Sequence, residues 1–299
     1  MHAQSNSILR IRPAGKREKQ LVETWTYSAI LTQLTEELLL IRVWQKSMAQ
    51  RRKSPYVFPI IIMISVHEQL SQNIKAIRDE IHSACARAAR NDSSVGLVAV
   101  TKYAEWSWVQ ELRSLHQTFG ENRPQQLADR QTILPDAEWH LIGQLQRNKV
   151  RLALQHATLI HSVDSLKLLE RIEETAASIN KDAQVLLQVN ASGETNKSGF
   201  TTEEIINEWP AVMAICSRTH VNGLMTMAAE SENAEDARPT FRKLRQLRDQ
   251  LAAREDSKKA GIQLPELSMG MSGDFIPAIE EGATLVRIGS RLFHGLEPT

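Results

Sequence analysis

Leu97-Val98-Ala99-Val100-Thr101-Lys102 is a short apolar run that ends in a lysine. Strand side chains alternate between faces, and a long apolar run predicts burial on both. A lysine closing such a strand stands where its ammonium is poorly solvated. That favours the neutral amine, the form that Schiff-base chemistry requires. One lysine does not define a site, because most lysines near strand ends reach water. Two runs nearer the end of the chain add a second kind of chemistry: Ser268-Met269-Gly270-Met271-Ser272 and Arg287-Ile288-Gly289-Ser290. Small residues there let backbone N–H groups approach a phosphate, with serine hydroxyls completing its shell.

These residues need a scaffold, and the hydropathy pattern supplies one. From Glu68 onward, Leu70, Ile74, Ile77, Ile81 and Cys85 recur every three or four positions, one apolar stripe of a helix. A strand is predicted at 96–101, and further strands at 118–121, 140–144, 159–162, 185–189, 223–226, 266–269 and 284–288. Helical patterns intervene, such as 165–178 and 239–253, with Asp164 and Pro239 as their starting residues. Strand then helix, repeated about eight times, predicts an α/β chain folded as a (β/α)8 TIM barrel of one domain. A doubly wound open sheet would want a glycine-rich turn after its first strand, whereas Lys102-Tyr103-Ala104-Glu105 has none.

In a barrel the carboxyl ends of the strands share one mouth, where chemistry takes place. Lys102 closes the first strand, and Glu121-Asn122 the second. His140 lies in the third, whose exit runs Gly143-Gln144-Leu145-Gln146-Arg147-Asn148-Lys149. Gly289-Ser290 is predicted to open a final helix whose N-terminal dipole favours an anion.

Composition narrows the function. The 42% hydrophobic and 24% charged content is that of a soluble globular protein with a sizeable core. Two cysteines, Cys85 and Cys216, form no disulfide framework and show no metal spacing, so the reducing cytoplasm is the expected setting. No stretch reaches the roughly 20 apolar residues of a membrane span. A net charge of +1 gives no attraction for nucleic acid or an anionic membrane. Of the 36 basic and 35 acidic side chains, ten and four fall in residues 1–62, so this leader is basic while the rest carries an acid excess. Residues 1–62 are read as an extension that is either poorly ordered or absent from the working protein, the second reading being favoured, with translation starting at Met63.

Residues 63–299 resemble the pyridoxal phosphate homeostasis proteins, single-domain relatives of the alanine racemase barrel. The resemblance rests on Ala99-Val100-Thr101-Lys102, Phe119-Gly120-Glu121-Asn122, Trp139 through Lys149, Lys197-Ser198-Gly199, Gly223-Leu224-Met225-Thr226, Leu267 through Ser272 and Val286-Arg287-Ile288-Gly289, in matching order and spacing. Leu141 departs from it, standing where the family usually has an aromatic.

The resemblance implies pyridoxal 5′-phosphate (PLP) held covalently as a Schiff base on Lys102. It places the phosphate against Gly289 and Ser290 with Ser268 nearby, Arg287 toward the pyridine nitrogen, and Asn122 and His140 among the cofactor-binding residues. An arginine there keeps the ring nitrogen unprotonated, which makes the ring a poor electron sink. The sequence ends shortly after the eighth strand, without the second domain through which racemases dimerise and supply a tyrosine. A monomeric carrier for intracellular PLP is therefore expected, with little or no turnover and apo PLP-dependent enzymes as recipients.

Alternatives stay open. The same Schiff base would serve an amino-acid racemase or decarboxylase, and a lysine-dependent aldolase would need no cofactor. His140 either packs beside Trp139 or faces the cofactor. Gln146, Asn148 and Lys149 are loop polars or cofactor neighbours, and Lys197 is read as a solvated charge rather than a second aldehyde trap. Met225, Met227, Met269 and Met271 are read as core and pocket lining, and His161 and Asp164 as a strand end and a helix cap. Intact-mass measurement of protein expressed from the native gene tests the internal start: a mass of residues 63–299 is expected, and a mass of residues 1–299 contradicts it.

Overall fold

Eight short strands buried on both faces explain the architecture. The computed structural model describes residues 64–194 and 198–297. The expectations for residues 1–62, for a start at Met63 and for Lys197 fall outside them. Helix α1 (Val66–Arg87) comes first, opened by a capping box in which Ser65 and Glu68 satisfy each other's backbone N–H groups. Its buried residues are the predicted stripe of Leu70, Ile74, Ile77, Ile81 and Cys85, together with Ala84.

Then follow β1 (Gly96–Val100), α2 (Trp106–Leu112), β2 (Thr118–Glu121), α3 (Pro124–Ile133), β3 (Glu138–Leu141), α4 (Val150–His156), β4 (Leu159–Val163) and α5 (Leu166–Ser178). The second half runs β5 (Ala183–Gln188), α6 (Thr202–Ile215), β6 (Thr219–Met225), α7 (Arg238–Ala253), α8 (Glu255–Lys259), β7 (Glu266–Ser268), α9 (Phe275–Glu280) and β8 (Leu285–Ile288). All neighbouring strands are parallel, and β8 closes on β1 with Val98 opposite Arg287. This is the TIM barrel that the alternation of strands and helices predicts.

Two separate apolar layers follow from the alternation. Residues such as Ala99, Phe119, Trp139, Leu141, Leu267 and Val286 belong to the large cluster shared with the helices. Leu141, for all its departure from the family, is fully buried there. A small second cluster of Leu159, Leu186 and Met225, packed by Leu285, fills part of the barrel interior. Two residues beyond Leu159 and Leu285, on the same faces, come His161 and Arg287. The interior thus changes from apolar to polar toward the mouth.

Three local expectations are corrected. The third strand is Glu138–Leu141 rather than 140–144. Its exit bends early because Gly143 packs against the Asn122 backbone so closely that a Cβ would collide with the Asn122 carbonyl. Ser165, not Asp164, is the N-cap of α5, and its hydroxyl donates to Asp164. No helix follows β8 among the described residues; residues 290–295 form successive turns, with i to i+3 bonds from Leu292 to Gly289 and from Leu296 to Phe293. A distant residue holds these turns: Asn73 on α1 donates its amide to the carbonyls of Leu292 and His294, at 2.9 and 2.8 Å.

Candidate functional site

Lys102 leaves β1 at the mouth and is half-buried. Its Nζ lies 5.0 Å from the centroid of the exposed Tyr103 ring. Among the described residues no hydrogen bond or ion pair engages the amine. The alternation of β1 sets Lys102 on the same face as Val98 and Val100, and Val98 is the side chain that a Cβ at Gly120 would strike.

The runs after β7 and β8, where an anion site is expected, meet without a helix after β8. The Gly289 N–H donates to the Ser272 hydroxyl at 3.3 Å. Gly270 holds φ at +92° and has the Ala278 Cβ and Phe275 Cα too close for any side chain of its own. Asp274 accepts from the Met271 N–H at 2.5 Å and returns its own N–H to the Met271 carbonyl, closing the turn that presents Ser272. Burial pushes the Asp274 carboxyl above its ordinary value, against the pull of that bond and of Arg287. Ser290 is exposed beside this turn. Ser272 was not singled out as a site residue, although the small-residue run that contains it was visible in the sequence.

Ser268 serves a different purpose from the one expected. Its hydroxyl accepts from Arg287 Nη1 at 2.7 Å and lies 2.8 Å from His161 Nδ1. His161 Nε2 in turn is 3.1 Å from His140 Nδ1. Arg287 Nη2 donates to the Thr226 carbonyl at 3.0 Å. These are the partners of Ser268 Oγ among the described residues, and a guanidinium can only donate. With Arg287 donating to it, the Ser268 hydroxyl still has a proton to give and a lone pair to receive with, so its contact with His161 Nδ1 runs in the direction that the His161 tautomer sets. One hydrogen-bonded line runs from the cation on β8 through β7 and β4 to β3, with both histidines neutral.

The electrostatics agree. Burial lowers His140 to about 4 and draws His161 well below the usual histidine value. Burial also lowers Arg287 to about 10, which leaves it charged at neutral pH. His140 and Trp139 occupy opposite faces of β3: Trp139 stacks on Phe119 in the outer layer, with centroids 5.1 Å apart, while His140 meets His161 in the interior. Packing beside Trp139 is thus not its role. His161, read from sequence as a strand end, is fully buried and is the centre of the polar line.

Other candidates scatter. Asn122 is half-buried at the exit of β2, whereas Gln146, Asn148 and Lys149 are exposed around a 3-10 turn. Met225 and Met269 are buried, while Met227 and Met271 are exposed. Among the described residues no cluster of histidine, cysteine or acidic side chains could hold a metal, and no helix is long and apolar enough to cross a membrane.

The closed parallel barrel is of the alanine racemase type: the family model for the alanine racemase N-terminal domain matches residues 68–297. A pyridoxal phosphate homeostasis protein of Aquifex aeolicus is 39% identical over 225 residues, covering 74% of this chain and 96% of that protein. PipY of Synechococcus elongatus, solved without PLP and with PLP bound, is 32% and 31% identical, with TM-scores of 0.65 and 0.64, covering 75% of this chain and 99% of PipY. This chain belongs to the pyridoxal phosphate homeostasis protein family.

The polar line makes stability depend on pH. Below about pH 6.5 an unfolded histidine takes up a proton that native His140 refuses until about 4, so the unfolded state binds more protons and stability falls on acidification. His140 alone accounts for roughly 3 kcal/mol between those limits. Urea unfolding from pH 7 to 4.5 is expected to show this slope, flattened in His140→Gln; equal slopes in the two proteins contradict the neutral assignment.

Proposed function

We propose that this protein binds PLP, holds it as a Schiff base on Lys102, and serves intracellular vitamin B6 homeostasis with little or no turnover of its own. The observation that carries the reading is a half-buried amine, free of ion pairs among the described residues, at the same barrel mouth as the Gly289–Ser272 anion turn. The donor set suits the group: a primary amine for an aldehyde, backbone N–H and hydroxyl groups for a phosphate, and a guanidinium for a pyridine nitrogen. When bound, the cofactor supplies an electrophilic aldehyde and an electron-accepting ring. The PLP-bound PipY relative and the naming of the Aquifex aeolicus relative support the same reading.

The residues of this chain would divide the work. Lys102 would hold the aldehyde through its amine, and Gly289, Ser290 and Ser272 would hold the phosphate. Arg287 uses two of its five donors on Ser268 and Thr226, so others remain for a ring nitrogen. A buried cation at that nitrogen disfavours a second positive charge on the ring, so carbanions at a bound amino acid gain little stabilisation. His140 and His161 are held neutral by burial. Asn122 completes the mouth. Such a site can store, buffer or deliver a reactive aldehyde, with apo-enzymes that need it as recipients.

Purified protein is expected to show an absorbance band near the visible edge that borohydride removes, leaving a reduced pyridoxyl mass on the Lys102 peptide. Lys102→Ala should lack both. A Lys102→Ala protein that retains the band contradicts the assignment, and exchange of the α-proton of alanine at enzymatic rates contradicts the low turnover.

A further inference from the structure

Behind the wall that carries Lys102, a buried ion pair lies apart from the interior line. Thr101 and Glu121 take the face of β1 and β2 opposite to Lys102 and Asn122, toward α3. There Arg130 meets them, and both Glu121 and Arg130 are buried. Arg130 Nη1 pairs with Glu121 Oε1 and donates to the Thr101 carbonyl at 2.7 Å, while Nη2 donates to the Ala104 carbonyl at 3.3 Å. The Thr101 hydroxyl donates to the same Glu121 oxygen, and the Ala104 N–H closes the turn on the Thr101 carbonyl at 2.9 Å. The Trp106 ring covers the guanidinium, its centroid 5.5 Å from the Arg130 Cζ. One side chain thus grips the backbone on both sides of Lys102 and Tyr103.

Burying such a pair is costly, and apolar residues of similar volume often stabilise a fold as well. The cost is visible here: burial pushes Glu121 above its ordinary value against the hydrogen bond from Thr101 and the charge of Arg130, and its Oε2 has no partner among the described residues. What the pair supplies is geometry. A lysine side chain is a flexible stem, so its reach depends on where its backbone origin is fixed. We propose that Arg130 and Glu121 are positioning residues that set the direction in which Lys102 leaves β1, and with it the reactivity of the amine toward an aldehyde. The inference rests on the reading that Lys102 is the PLP-bearing residue.

The test uses the full chain freed of PLP. Reductive methylation by formaldehyde and cyanoborohydride is followed at Lys102 by peptide mass spectrometry, with the exposed Lys243 as internal reference. The rate at which absorbance grows after PLP is added is measured beside it. The double variant Glu121→Gln/Arg130→Met removes both charges together and so leaves no uncompensated one. It is expected to slow both Lys102 rates about tenfold at wild-type Lys243 reactivity and melting temperature. Wild-type rates in the folded double variant would overturn the proposal. Should that variant fail to fold, Arg130→Lys keeps the charge and loses the fork; slowing of about threefold or more is expected, and an unchanged Lys102 rate overturns it. A wild-type protein whose Lys102 takes formaldehyde but never PLP defeats the functional reading alone, because the methylation comparison still decides the clamp.

Discussion

A guanidinium sealed inside a barrel must find its hydrogen-bond partners in the protein, and Arg287 fixes the interior by doing so. It is 4% exposed, and it holds the Thr226 carbonyl with one nitrogen and the Ser268 hydroxyl with another. Beyond it the line continues through Ser268 to His161 and from His161 to His140. Two pairs of consecutive strands, β3–β4 and β7–β8, are thereby joined by a contact between residues 107 apart in the sequence. Leu159, Leu186 and Met225 seal the interior behind this line. A charged guanidinium beside two neutral histidines gives the interior a fixed field.

The two faces of the first strands divide holding from aiming. Inward, the alternation delivers Lys102 to the mouth. Outward, Thr101 and Glu121 meet Arg130, whose contacts end on the carbonyls that flank that lysine. Beside β1, on the side of β8, the turn after β7 depends on a glycine at positive φ, Gly270, and on a carboxylate, Asp274, that closes the loop around Ser272. Both ends of the candidate site are thus built from backbone held by side chains, which keeps the geometry independent of flexible stems.

Much of this was legible in the sequence because it is local. The apolar stripe of α1 and the eight strand-sized runs follow from periodicity, and Lys102 and Gly289 stand where those runs end. What escaped is long-range. Leu-Ile-His-Ser-Val in β4 is buried at every position, so hydropathy gave no sign that His161 faces the interior or that it reaches Ser268, 107 residues away. In place of the expected final helix stand turns held by Asn73 from more than two hundred residues away, a contact that no local pattern encodes. Glu121 read as the close of the second strand and Arg130 drew no reading of its own; the packing of α3 on β2 buries them together. Ser272 sat inside a run already marked as phosphate-competent, and its separation from Ser268 needed the turn at Gly270.

The most direct measurement is a crystal structure of the protein grown with PLP. Continuous density from the Lys102 amine to the aldehyde carbon is predicted, with the phosphate against Gly289, Ser290 and Ser272 and the Arg287 guanidinium at the ring nitrogen. A free Lys102 amine with the cofactor bound elsewhere, such as at the exposed turn of Arg147–Lys149, would contradict the account.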